Sequence, residues 1–202
     1  QDYGRLQEKL YRYPGFYIQK RILRQYNYNV AANLLGNIRE VNNTDLKKDE
    51  YYRRGDYTGD LGIEKSYEKY LRGEKGLEIL IRDVVGKIKG RYMNGEYDVQ
   101  PVAGKDLKLS IDIELQKYGE QLMKNKIGAI VAIEPSTGKI LAMVSKPDFD
   151  PNEESLAENW NTLVEDDNHP FLARATSGLY APGSTFKMLT ALAAVENGYE
   201  DM

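Results

Sequence analysis

Two apolar runs joined by a turn constrain this chain more than any other feature. Gly128-Ala-Ile-Val-Ala-Ile133 and Lys139-Ile-Leu-Ala-Met-Val144 are unbroken stretches of strand length. Between them, Glu134-Pro-Ser-Thr-Gly138 is made of ordinary turn residues. The pair predicts two adjacent strands, and their continuous apolar character predicts cover on both faces. Ahead of them, residues 106–111 predict a strand, and Asp112 is a good N-cap for a helix to about Asn125. Behind them, residues 152–170 read as polar and irregular, with the only tryptophan at Trp160.

The first hundred residues have a different character. They are charged, rich in tyrosine, and alternate short elements of both kinds. Residues 1–12 and 63–72 predict charged helices, 30–36 a short helix, and 42–54 a helix with a loop. Residues 16–23, 77–85 and 90–93 predict strands. The expectation is an α+β chain with two units, an extended module over residues 1–104 and a sheet-and-helix unit over 105–202.

Composition narrows the chemistry. The 202 residues carry a net charge of −3, with 41% hydrophobic and 29% charged residues. That permits a real core and provides no general pull toward nucleic acid or an anionic membrane. There is no cysteine and a single histidine, His169. Disulfides and thiolate metal sites are excluded, and a zinc site is not expected. No apolar segment reaches the ~20 residues that span a bilayer. The chain does not open with methionine, and any membrane attachment is expected through an anchor outside it.

Ser-x-x-Lys occurs three times, at Ser66, Ser136 and Ser184. A serine and a lysine at this spacing share a helix face and can act as nucleophile and base. Ser66 lies in a charged segment, where Lys69 stays solvated and protonated. Ser136 lies in the hairpin turn. Ser184 follows the Pro182-Gly183 break and opens an almost wholly apolar run ending at Asn197-Gly198. Such a helix is expected to be buried. Burial and the positive end of the helix dipole would both depress Lys187 toward a useful base. The alternative is a serine N-cap with a snorkelling lysine, and spacing and context leave the two open.

The order of the pieces carries a resemblance. Leu109-Ser-Ile-Asp112, Gly128 to Ile133 with Pro135-Ser-Thr-Gly138, Ile140-Leu-Ala-Met143, Ser145-Lys-Pro-Asp-Phe-Asp-Pro-Asn152, Arg174-Ala-Thr176 and Tyr180-Ala-Pro-Gly-Ser-Thr-Phe-Lys187 stand in sequence. Together they resemble the start of the transpeptidase domain of class B penicillin-binding proteins. Tyr13-Pro-Gly-Phe16, Ala31-Ala-Asn-Leu-Leu-Gly36 and Tyr57-Thr-Gly-Asp-Leu-Gly-Ile-Glu64 resemble that family's non-catalytic pedestal, or dimerisation, domain. The Gly-Asp, Gly-Ile-Glu and Leu-Arg-Gly pattern looks most like the elongation-type members.

The resemblance implies D,D-transpeptidation of peptidoglycan stem peptides ending in D-Ala-D-Ala. Ser184 is then the acylated nucleophile and Lys187 its proton acceptor, with β-lactams acylating the same serine. It implies a place in the cell envelope, on the periplasmic side of the inner membrane, and elongation proteins as partners of the pedestal. It implies no metal and no cofactor. Ala173, Asn33 and Ala181 depart from the family's usual Asn, His and Pro. The family's Ser-x-Asn and Lys-Thr/Ser-Gly motifs do not occur in the 202 residues, so these residues alone are expected to be catalytically incompetent. Two other readings remain. One is a class D-like β-lactamase or β-lactam sensor, in which Lys187 is carbamylated. The other is a non-catalytic partner-binding module.

Overall fold

A computed structural model describes residues 4, 6, 9–13, 16, 24–84, 86 and 88–199. The predicted strand at 16–23 and most of the predicted helix at 1–12 lie outside the described residues.

Short elements make up the first half. Helix α1 is Ala32–Leu35, strand β1 is Ile38–Glu40, and helix α2 is Asn43–Lys48. The α2 helix has a full capping box: Asn42 accepts from Thr44 and Asp45, and Asp45 accepts from the Asn42 amide. Strand β2, Tyr57–Gly59, pairs antiparallel with β1. The predicted helix at 63–72 is two helices, α3 at Gly62–Ser66 and α4 at Glu68–Leu71, broken at Tyr67. Glu68 is drawn away to accept from the Gly59 amide and the Tyr52 hydroxyl. Strands β3, Leu80–Arg82, and β4, Ile88–Arg91, form a second hairpin. The strand predicted at 90–93 thus ends early, because Met93 and Asn94 turn through left-handed backbone.

The second half is built on β5, Gly128–Ile133, and β6, Ile140–Lys146, an antiparallel pair joined by the predicted turn. Helix α5, Ile113–Leu122, has the expected Asp112 N-cap. Residues 106–111 do not form the predicted strand. They run beside the free edge of β6, held by Ser110 Oγ on Ile140 O at 2.7 Å, and Asp112 N follows on Leu141 O at 2.8 Å. One hydroxyl and one amide do the work of a ladder. Gln116 continues it: its amide donates to Met143 O at 3.0 Å and accepts from Met143 N at 2.8 Å. Gly119 lets α5 approach so closely because a Cβ there would lie 2.9 Å from Val144 Cγ2.

Strand β6 is covered on both faces, with Ala142 and Val144 buried on one and Ser145 buried beside half-buried Leu141 and Met143 on the other; β5 is not, because Val131 and Ile133 are exposed. Residues 152–170 also correct the sequence reading. Helix α6 spans Glu153–Glu165, and its apolar residues Leu156, Trp160, Leu163 and Val164 recur at helical spacing. Leu156 enters a core with Ala32 and Phe149, flanked by Leu61, Leu163 and Phe171. That core draws on both halves of the chain.

The two halves therefore meet in a polar and apolar junction. Ala31, left-handed at φ 58°, donates its amide to Glu120 Oε1 at 2.5 Å. Tyr26 N donates to Asn152 Oδ1 at 3.1 Å, and Asn33 Nδ2 to Pro170 O at 3.1 Å. Glu120 also accepts from Gln116 and pairs with Lys146, which pairs in turn with Asp148.

Candidate active site

Ser184 lies in a 3-10 turn, Gly183–Phe186, that leads directly into helix α8, Lys187–Glu196. Gly183 takes φ 56°, a left-handed value that glycine adopts at no steric cost. Lys187 N donates to Ser184 O, so the two residues stand one turn apart, and in 3-10 geometry positions i and i+3 eclipse. No side chain caps the turn or the helix. The serine N-cap alternative is therefore not what the structure shows. The Ser184 hydroxyl and the Lys187 ammonium make no hydrogen bond or ion pair with another described residue.

The expected burial is absent. Ser184 and Lys187 are exposed, and Met188, Leu189, Leu192 and Val195 of α8 are each more than half exposed. Among the described elements, the main packing partner of α8 is the turn before it. The apolar composition was read correctly, but no other described element covers the helix. The desolvation argued for Lys187 is thus missing from this arrangement.

The other two Ser-x-x-Lys matches resolve as expected. Ser66 Oγ donates back to Gly62 O at 2.9 Å, and the helix breaks before Lys69. Ser136 is in the hairpin turn, closed by Gly138 N on Glu134 O at 2.8 Å. His169 is exposed, in a loop at φ 48°.

Sequence reasoning assigned no role to Glu120, Lys146 or Asp148. Lys146 and Asp148 lie in the 145–152 stretch that carried the resemblance. The signal for Glu120 was Gln116, Gly119 and Glu120 on one face of a helix. Burial alone lowers the Lys146 ammonium, but Asp148 and Glu120 together hold it above its ordinary value. Burial raises the Asp148 carboxyl, against the pull of Lys146. Asp45 is the opposite case, lowered by the Arg39 guanidinium and then by the Asn42 amide. The signs follow. Asp45 favours the fold above its ordinary value of 3.8 and loses that contribution as pH falls through its depressed value. Asp148, raised above 3.8, favours the fold increasingly as pH falls through its own value. Carboxyl-carbon NMR titration should therefore give an Asp45 midpoint below 3.8 and an Asp148 midpoint above it. Coincident midpoints would contradict both assignments.

Two family models cover most of the chain. The penicillin-binding protein dimerisation domain matches residues 1–109, and the penicillin-binding protein transpeptidase domain matches residues 128–201. The chain belongs to the penicillin-binding protein family.

Curated relatives include peptidoglycan D,D-transpeptidase MrdA of Escherichia coli K12, 34% identical over 198 residues, covering 93% of this chain and 31% of that protein. MrdA of Acinetobacter baumannii is 36% identical over 204 residues, covering 98% of this chain and 30% of that protein. The chain thus spans about a third of the length of the relatives it matches. Among solved structures, Helicobacter pylori PBP2 in complex with MreC is similar at TM-score 0.72 and 32% identity, covering 85% of this chain and 32% of that one. Pseudomonas aeruginosa PBP2 bound to WCK 5153 is similar at TM-score 0.67 and 32% identity, covering 91% and 36%. The mixed helices and small antiparallel sheets are those of a penicillin-binding protein pedestal followed by the start of its transpeptidase domain.

Proposed function

We propose that this penicillin-binding protein is a peptidoglycan D,D-transpeptidase with Ser184 as nucleophile and Lys187 as base. The observation that carries the proposal is a serine with an uncommitted hydroxyl, one turn before a lysine, inside the region matched to the transpeptidase domain. Ser184 Oγ attacks the carbonyl carbon of the penultimate D-Ala while its proton passes to Lys187 Nζ, acting as the base. The C–N bond breaks, and the departing D-Ala amine takes that proton. An amine of a second stem peptide then attacks the acyl ester, and the proton it sheds returns to Ser184 Oγ as the C–O bond breaks. A β-lactam enters the first step, its ring amide opening onto the same oxygen.

Residues 1–104 form the pedestal and 105–202 the beginning of the catalytic domain, docked through the shared core. The pedestal binds an elongation partner, a reading supported by the MreC complex of the H. pylori relative. The protein works on the periplasmic face of the inner membrane. No helix among the described residues is long and apolar enough to cross a membrane.

The test is a full-length protein given a fluorescent penicillin and, separately, a D-Ala-D-Ala pentapeptide with an acceptor amine. A long-lived adduct and acceptor-dependent D-Ala release are expected. Rapid penicillin hydrolysis with no cross-linked product would favour the β-lactamase reading instead. Lys187→Met should slow acylation by ~10²–10⁴-fold, the usual contribution of a general base. An unchanged rate would remove Lys187 from the mechanism.

A further inference from the structure

The loop over residues 168–172 connects α6 to helix α7, Arg174–Ser177. It is held from two directions. Arg174 is buried, at 6% exposure, and pairs with no carboxylate among the described residues. Its guanidinium donates to Asn168 O, to His169 O at 3.1 Å and to Leu172 O at 3.4 Å. A guanidinium cannot shed its proton to escape burial, so these carbonyls satisfy a charge that has no other described partner. From the pedestal side, Asn33 of α1 donates to Pro170 O at 3.1 Å. Phe171, next to Pro170 in the loop, packs at a tilt against Phe149 and Trp160, at 4.8 and 5.4 Å between ring centroids.

The same residues lead to the nucleophile. Ala175 N donates to Ser145 Oγ at 3.2 Å, which roots α7 on β6. Gly178 N donates to Arg174 O, and the Tyr180 ring lies so close over Gly178 that a Cβ there would meet it at 2.4 Å. Pro182, Gly183 and Ser184 follow. Contacts therefore run from pedestal helix α1, through the clamped loop and α7, to Tyr180, and the chain itself leads from there over three residues to Ser184.

We propose that Asn33 and Arg174 are positioning residues for Ser184. They clamp loop 168–172 from the pedestal and from the catalytic side, so that pedestal docking sets where the nucleophile stands. The proposal rests on Ser184 being the nucleophile. It assigns a use to Asn33, which is a departure from the family pattern.

The test separates the noncovalent and covalent phases of penicillin acylation in the full-length protein. Asn33→Leu removes the donor at similar volume, and Asn33→His restores an N–H donor. Arg174→Lys keeps the charge and loses the fork. In Asn33→Leu and Arg174→Lys the acylation rate constant is expected to fall about tenfold to a hundredfold, the scale of a small misplacement of a reacting group. The initial binding constant should be little changed, and Asn33→His should recover the rate. Unchanged acylation with a lowered melting temperature would show a purely structural clamp and overturn the proposal. An equal loss in Asn33→Leu and Asn33→His would also overturn it. If Ser184→Ala still acylates, the nucleophile assignment has failed rather than the clamp.

Discussion

Ser184→Ala yields no covalent penicillin adduct, whereas Ser66→Ala and Ser136→Ala acylate at the parent rate. The three serines have the same i, i+3 lysine, so sequence spacing predicts the same result for each. Their surroundings differ. Ser66 spends its hydroxyl on Gly62 O, and Lys69 lies beyond a helix break. Ser136 is in a reverse turn that closes the β5–β6 hairpin. Only Ser184 combines an uncommitted hydroxyl, a lysine one turn on, and the start of a ten-residue helix whose dipole favours developing negative charge. Removing a nucleophile leaves no atom to carry the acyl group, so the effect is loss rather than slowing. The readout is in-gel fluorescence at saturating penicillin.

Glu120→Ala is expected to be among the most destabilising single changes in the described residues. Its carboxylate is 8% exposed and accepts from the Ala31 amide and Gln116 Nε2 while pairing with Lys146 at 3.2 Å. Breaking a buried pair by removing one partner costs about 3–5 kcal/mol. Asp148 still faces Lys146 at 2.7 Å, so the lower end of that range applies. Glu120→Gln keeps an acceptor for Ala31 and removes only the charge, so its cost is smaller, on the order of 1–2 kcal/mol. Urea unfolding of the pair of variants measures both. Equal costs for alanine and glutamine would mean that the charge, not the hydrogen bond to Ala31, holds the junction.

The hairpin and the Asp112 cap are legible in the sequence because each rests on local chemistry: strand-length apolar runs, turn residues, and an oxygen positioned for free amides. Helix α6 was not, because its charged and amide residues masked the spacing of Leu156, Trp160 and Leu163. Residues 106–111 predict a strand because their alternation is genuine, yet they meet the edge of β6 mainly through Ser110 and the Asp112 amide. Glu120 could not be assigned because its partners, Ala31 and Lys146, are 89 and 26 residues away along the chain. The Ser184 helix was read as buried because composition reports how apolar a helix is, not which element covers it. Asn33 departs from the family's usual His, and its partner, the Pro170 carbonyl, is 137 residues away along the chain.

In the proposed mechanism Ser184 carries the acyl group. Peptide mapping by mass spectrometry of the penicillin-treated full-length protein tests it most directly. The predicted result is one adduct, on the peptide containing Ser184, absent from Ser184→Ala. An adduct on any other residue, or one that persists in Ser184→Ala, would contradict it.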